Sequence, residues 1–96
     1  MEKINKYLIE GFEWFDKING NSYHTIKITD LNENKVIVKS KDIVYGYGNQ
    51  YEHTAYKELI NLGLAKKEDE YNHELNHKRF VFRKQENMLK REILNI

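Results

Sequence analysis

Between two runs of alternating side chains lies Asn19-Gly20-Asn21, and no other feature restricts the fold of this chain as much. Asn-Gly tolerates the positive φ angles of a tight hairpin turn, so the flanking runs are set against each other as antiparallel strands. After the turn, "SYHTIKITD" places His24, Ile26 and Ile28 on one face and Tyr23, Thr25, Lys27 and Thr29 on the other. Before it, "KYLIEGFEWFDKI" mixes aromatic and β-branched residues. Phe12, Trp14 and Ile18 fall on one side of an extended chain, and Glu13, Phe15 and Lys17 on the other. An amphipathic helix over residues 2–10 competes, since Ile4 and Leu8 are four apart. Strand is the preferred reading, and Gly11 then marks a bulge or bend.

A second turn at "LNENK" leads to "VIVKS" and "IVYGY", a third strand and its continuation, with a kink at Lys41 and Asp42. The period then changes. Residues 49–62, "NQYEHTAYKELINL", place Tyr51, Ala55, Leu59 and Leu62 on one stripe flanked by Tyr56 and Ile60. Asn49 and Glu52 have the spacing of a capping box, and Gly63-Leu64 suits a left-handed C-terminal cap. "AKKEDEYNHELNHK" shows no clear period and reads as a solvated connector. "RFVFR" is a fourth strand or a helix entry, and Met88, Leu89 and Ile93 recur at helical spacing. The expected fold is α+β in one domain, residues 1–96. Its parts are an antiparallel meander of three to four strands, one amphipathic helix over about 49–62 on one face, and a short C-terminal strand or helix. The apolar material is then used up by sheet and helix, leaving the last third as a charged exterior.

Size and composition bound what such a fold does. A chain of 96 residues buries roughly 65% of the surface its unfolded form exposes, enough for one small core. There is no cysteine, which removes disulfides and thiol chemistry, and no proline. "MEKINKYLIEG" lacks the apolar run of a signal peptide, and no stretch approaches the ~20 apolar residues of a membrane span. The expectation is a protein of the cytoplasm, with no membrane partner. Sixteen basic and 15 acidic residues leave a net charge of +1, which argues against wholesale nucleic-acid binding by charge. The distribution is uneven. Lys78, Arg79, Arg83, Lys84, Lys90 and Arg91 crowd the C-terminus, just after the acidic "EDEYNHE".

One motif suggests an enzyme. His73-Glu74-Leu75-Asn76-His77 matches H-E-x-x-H, in which a helix places two zinc ligands on one face and the Glu polarises the bound water. Against it, Asp69 and Glu70 occupy the preceding turn, and Lys78 and Arg79 follow directly. A third ligand would have to come from Glu86, Glu92 or the distant His24 and His53. The connector reading is therefore adopted over a zinc metallopeptidase; no catalytic residue, metal or cofactor is assigned. Neither Ser22 nor Ser40 sits in a nucleophile elbow. His24, in line with Ile26 and Ile28, reads as a satisfied sheet histidine. "YGYGNQYEHTAY" lacks the Lys and Ser/Thr of a Walker loop; its glycines let the strand turn into the helix while Tyr45 and Tyr47 pack. "HKRFVFRK" alternates basic and aromatic residues, as a stacking surface for nucleic acid does and as an amphipathic edge strand does.

"WFDKINGNSYHTIKI" and "YGYGNQYEHTA", residues 14–28 and 45–55, resemble a family of small phage and prophage proteins of unassigned function. These share an Asn-Gly-Asn-Ser/Thr-Tyr-His hairpin and a Tyr-Gly-Tyr-Gly strand-to-helix turn. Residues 64–96 fall outside the resemblance. It implies a phage or mobile-element protein that binds and modulates a host protein, with an anti-defence, anti-CRISPR-like inhibitor as one form, and it carries over no catalytic residue. The expected contact residues are Tyr47, Asn49 and Tyr51 at the turn, with Lys78, Arg79, Phe80, Phe82, Arg83 and Lys84 in the basic segment. Aromatic and arginine anchors dominate such interfaces. The alternative is direct nucleic-acid binding by the C-terminal segment. A free meander edge leaves monomer and homodimer both open.

Overall fold

Asp16 and Gly20 close the first hairpin. The Gly20 N–H donates to the Asp16 carbonyl at 2.7 Å, and Gly20 takes the positive φ of 69° that a side chain would oppose. The Asp16 carboxylate accepts from the Ile18 and Asn19 N–H groups at 3.0 and 3.3 Å. The structure is a computed structural model and describes residues 5–40 and 43–95. Strands β1 (Tyr7–Asp16) and β2 (Asn21–Asp30) pair antiparallel without a break, from Tyr7 opposite Asp30 to Asp16 opposite Asn21. The second turn passes through Asn34 at φ 54° into β3 (Lys35–Lys39). Both β3 and the short β4 (Val44–Tyr45) pair with β2. The kink expected at Lys41 and Asp42 lies outside the described residues, as do residues 2–4 of the competing helix over 2–10, of which Tyr7–Glu10 are strand.

The α+β expectation holds, with one correction to the sheet. Strand β5 (Phe80–Gln85) lies beside β1 and runs parallel to it, from Tyr7 beside Phe80 to Phe12 beside Gln85. The sheet is thus mixed, in the order β3-β2-β1-β5 with β4 also on β2, rather than a pure meander. A parallel neighbour requires a crossover of a dozen or more residues. Residues 46–79 provide it, through α1 (Gln50–Asn61), a 3-10 turn (Lys67–Asp69) and α2 (His73–Arg79). The last third is therefore not only exterior: Phe80 joins the core, and Ile93 of α3 (Lys90–Leu94) is buried.

The two sheet faces are covered unequally. Tyr7, Ile9, Ile26, Ile28 and Phe80 meet Tyr51, Ala55, Tyr56 and Leu59 of α1, and this is the main core. Gly11 lies within it, in unbroken register with Ile26, so it is neither bulge nor bend. A Cβ there would fall 2.4 Å from Cγ of Tyr51; the glycine exists to let that ring onto the sheet. On the opposite face α3 covers only one end, where the Thr25 hydroxyl donates to the Ile93 carbonyl at 3.2 Å. There Trp14 stacks on Tyr23 with ring centroids 5.5 Å apart.

Helix α1 ends as its sequence indicates. Gly63 adopts φ 75°, its N–H bonds to the Ile60 carbonyl at 3.0 Å, and the Leu64 N–H bonds to Leu59 at 2.9 Å. Its start differs: the Asn49 side chain makes no capping hydrogen bond, so the capping box is absent. Leu62 is exposed rather than on the buried stripe. Tyr45 and Tyr47 are exposed as well, although the Tyr45 ring meets Tyr23 edge-on.

The connector at residues 65–78 is also corrected. Asn72 caps α2, its Oδ1 accepting from the Leu75 N–H at 3.1 Å. The Asn76 amide donates back to the Asp69 and Glu70 carbonyls at 3.1 and 2.9 Å. Only Leu75 among the helix's residues is apolar, so polar clamps hold this element where no apolar period announces it. Among the described residues no helix is long and apolar enough to cross a membrane.

Candidate binding groove

Arg79 sets the distance between α1 and α2. Its Nη2 donates to the Tyr56 hydroxyl at 3.2 Å, and its Nε donates to Asn76 Oδ1 at 3.1 Å. The guanidinium lies 4.6 Å from the centre of the Phe80 ring and 5.8 Å from that of Tyr56. The Tyr56 hydroxyl donates in turn to the Lys66 carbonyl, fixing the chain that leads into α2. So anchored, the two helices stand apart and leave a groove of about 720 Å³, within the usual range for ligand sites.

The groove's floor is apolar: Ile9, Phe80 and Phe82. One wall carries Asn49, Glu52, His53 and Tyr56 from the start of α1. The other carries Glu70, Tyr71, His73, Glu74, His77 and Lys78. Tyr71 is 69% exposed and Phe82 40%, so both offer ring surface to an occupant. Two polar contacts brace the walls: His53 Nδ1 lies 4.0 Å from Glu70 Oε1, and Lys78 Nζ lies 3.9 Å from Glu74 Oε1.

The H-E-x-x-H residues do lie on a helix, with His73 and His77 four apart and both exposed along the groove. A zincin site needs two such imidazoles to converge with a third donor. Among the described residues, no three His, Cys, Asp or Glu side chains do so. Glu74 lies at the groove's solvent rim, its side chain 87% exposed and 3.9 Å from Lys78 Nζ.

A second polar cluster is enclosed below the strand-to-helix turn. His24 is buried, with Nδ1 3.3 Å from the Gly46 carbonyl and Nε2 2.7 Å from Thr54 Oγ1. A carbonyl only accepts, so Nδ1 carries the proton, and in the neutral ring Nε2 accepts from the Thr54 hydroxyl. Burial pushes the His24 pKa down, and the Gly46 contact and the Glu13 charge only partly offset it. Nearby, Lys84 Nζ sits 3.3 Å from Glu13 and 3.1 Å from Glu86. Burial would lower this lysine, but Glu86 and Glu13 outweigh it and hold the ammonium above its ordinary range.

The expected contact residues separate into groups. Asn49, Lys78, Phe80 and Phe82 all line the groove, and exposed Tyr47 lines an adjoining hollow that shares Asn49 and His53 with it. Tyr51 and Phe80 are buried, so they support the site from below. Arg79 is spent on Tyr56, Asn76 and Phe80, and Lys84 on its two carboxylates. Arg83 lies one residue out of phase with Phe80 and Phe82, on the opposite sheet face. The basic segment is thus dispersed over several surfaces. Glu52, His53, Tyr56, Glu70 and Tyr71, which also line the groove, were not among the contact residues expected from sequence. Their signal was weak: polar residues three and four apart on α1, facing a second helix that has no apolar stripe. Compared with protein families, curated proteins and solved structures, the chain matches no family model, no curated protein and no solved structure.

Proposed function

We propose that the chain is a non-catalytic interaction protein that engages a partner protein through the groove between α1 and α2. One observation carries the reading: an aromatic-floored groove of about 720 Å³, with half-uncovered Phe82 and exposed Tyr71, is held open by internal hydrogen bonds. A rigid, partly apolar recess rimmed by polar groups is the form that interface anchors require. The resemblance to small phage proteins supplies the context, a host protein as the partner and interference with a defence complex as the consequence. The dispersal of Arg79, Arg83 and Lys84 supports a protein partner over nucleic acid, which calls for a continuous basic track.

The test is site-specific photo-crosslinking in the host cell. A photoreactive residue replacing His73 or Asn49 is expected to give one discrete adduct. The same residue replacing Val36, on β3, is expected to give none. Adducts of equal yield from both faces, or none from the groove, would refute the reading.

A further inference from the structure

We infer that the groove's occupant is a basic peptide segment, an arginine- or lysine-bearing stretch of the partner laid between α1 and α2. This rests on the interaction-protein reading above and states the chemistry of what that groove takes. Charge is the first argument. Glu52, Glu70 and Glu74 line the groove against two cations, Lys78, which pairs with Glu74, and Arg79, which is engaged by Tyr56 and Asn76. Glu52 and Glu70 are left over, although the whole chain carries +1. Glu52 has no cation within ion-pairing distance among the described residues, and the His53–Glu70 contact is an ion pair only when the imidazole is protonated. An acidic or phosphorylated occupant would meet net repulsion there; a cationic one meets carboxylates with coordination to spare.

The rings are the second argument. A guanidinium is attracted to an aromatic face and tolerates partial burial better than an ammonium does. The chain already uses that chemistry at the groove's inner edge, where Arg79 lies over Phe80 and bonds the Tyr56 hydroxyl. Phe82 and Tyr71 leave similar ring surface uncovered a short way along the same groove. The third argument is what the walls lack: no three donors converge on a point among the described residues, so a bare metal ion finds no cage. Carboxylates spread along a trough, with an apolar floor between them, suit a chain that alternates apolar and basic side chains.

The experiment is fluorescence anisotropy with a short labelled peptide of alternating leucine and arginine. Its matched controls carry citrulline, which has arginine's shape without its charge, or glutamate in place of arginine. Three proteins are compared: the natural chain, the double variant Glu52→Gln with Glu70→Gln, and His77→Trp, which fills the groove from an exposed position. The arginine peptide is expected to bind the natural chain, with the citrulline peptide about tenfold weaker and the glutamate peptide weaker still. The double variant should lose most of the advantage of arginine over citrulline while keeping its melting temperature, and His77→Trp should weaken every peptide. Equal binding of arginine and citrulline peptides, or no binding of the arginine peptide, overturns the basic-segment inference and leaves the groove reading to the crosslinking test. Binding that His77→Trp does not disturb overturns both.

Discussion

Gly11 has no room for even a methyl group, because a Cβ would meet the Tyr51 ring at 2.4 Å and its Cβ at 2.8 Å. Gly11→Ala is therefore expected to destabilise the fold by about 1–3 kcal/mol through overpacking, read as a lower urea midpoint. Gly20→Ala meets no atom within 4 Å and suffers only its positive φ, which costs about 1–2 kcal/mol. Sequence marked Gly11 as special and misjudged the reason, since the reason is a side chain forty residues away. His24 was more legible, because alternation with Ile26 and Ile28 is a local property that already places it inside. Its burial has a pH consequence. The unfolded chain takes up a proton near the ordinary value of about 6.5, while the folded chain, with burial outweighing Gly46 and Glu13 and with Lys84 adding repulsion, resists it. The His24 contribution is thus present above pH ~6.5, and it declines as pH falls through the depressed folded value. Urea titrations of the natural chain and His24→Gln should show a stability gap at pH 7.5 that narrows at pH 5. A gap that widens toward acid would contradict this.

At the scale of elements, the hairpin and α1 were readable and the last third was much less so. Asn-Gly turns and a four-residue apolar stripe act within a dozen residues, and those are the distances over which sequence patterns speak. The pattern "RFVFR" leaves strand and helix entry both open and says nothing of a neighbour, so its parallel seat beside β1 had to be set by the crossover. Helix α2 was hidden because Asn72 and Asn76 hold it through backbone groups. Asn72→Ala is expected to cost about 0.5–2 kcal/mol and to speed exchange of the Leu75 amide with little effect on exchange in β2. Uniform acceleration across the protein would show that α2 has no separate stability. Phe80 links both elements: it is 7% exposed, packs at a tilt against Tyr7 and meets Tyr56 edge-on. Phe80→Ala should cost about 3–5 kcal/mol, measured by chemical denaturation. A loss under 1 kcal/mol would show that β5 is loosely attached.

The whole molecule shows why the site was harder to read than the fold. The groove exists only because four separate segments meet: the start of α1, the chain from Glu70 to Lys78, Ile9 of β1, and Phe80 and Phe82 of β5. The one motif among them, H-E-x-x-H, lies on the groove's rim, and among the described residues no third donor joins it to make a metal site. The measurement that tests the central claim most directly is a two-dimensional amide-shift titration of the isotope-labelled protein with the leucine–arginine peptide. The account predicts saturable shifts at Glu52, His53, Glu70, Tyr71, His73 and Phe82, with Val36 and Thr29 on the far side of the sheet unmoved. Shifts centred on Arg83 and the outer sheet face, with the groove residues still, would contradict it.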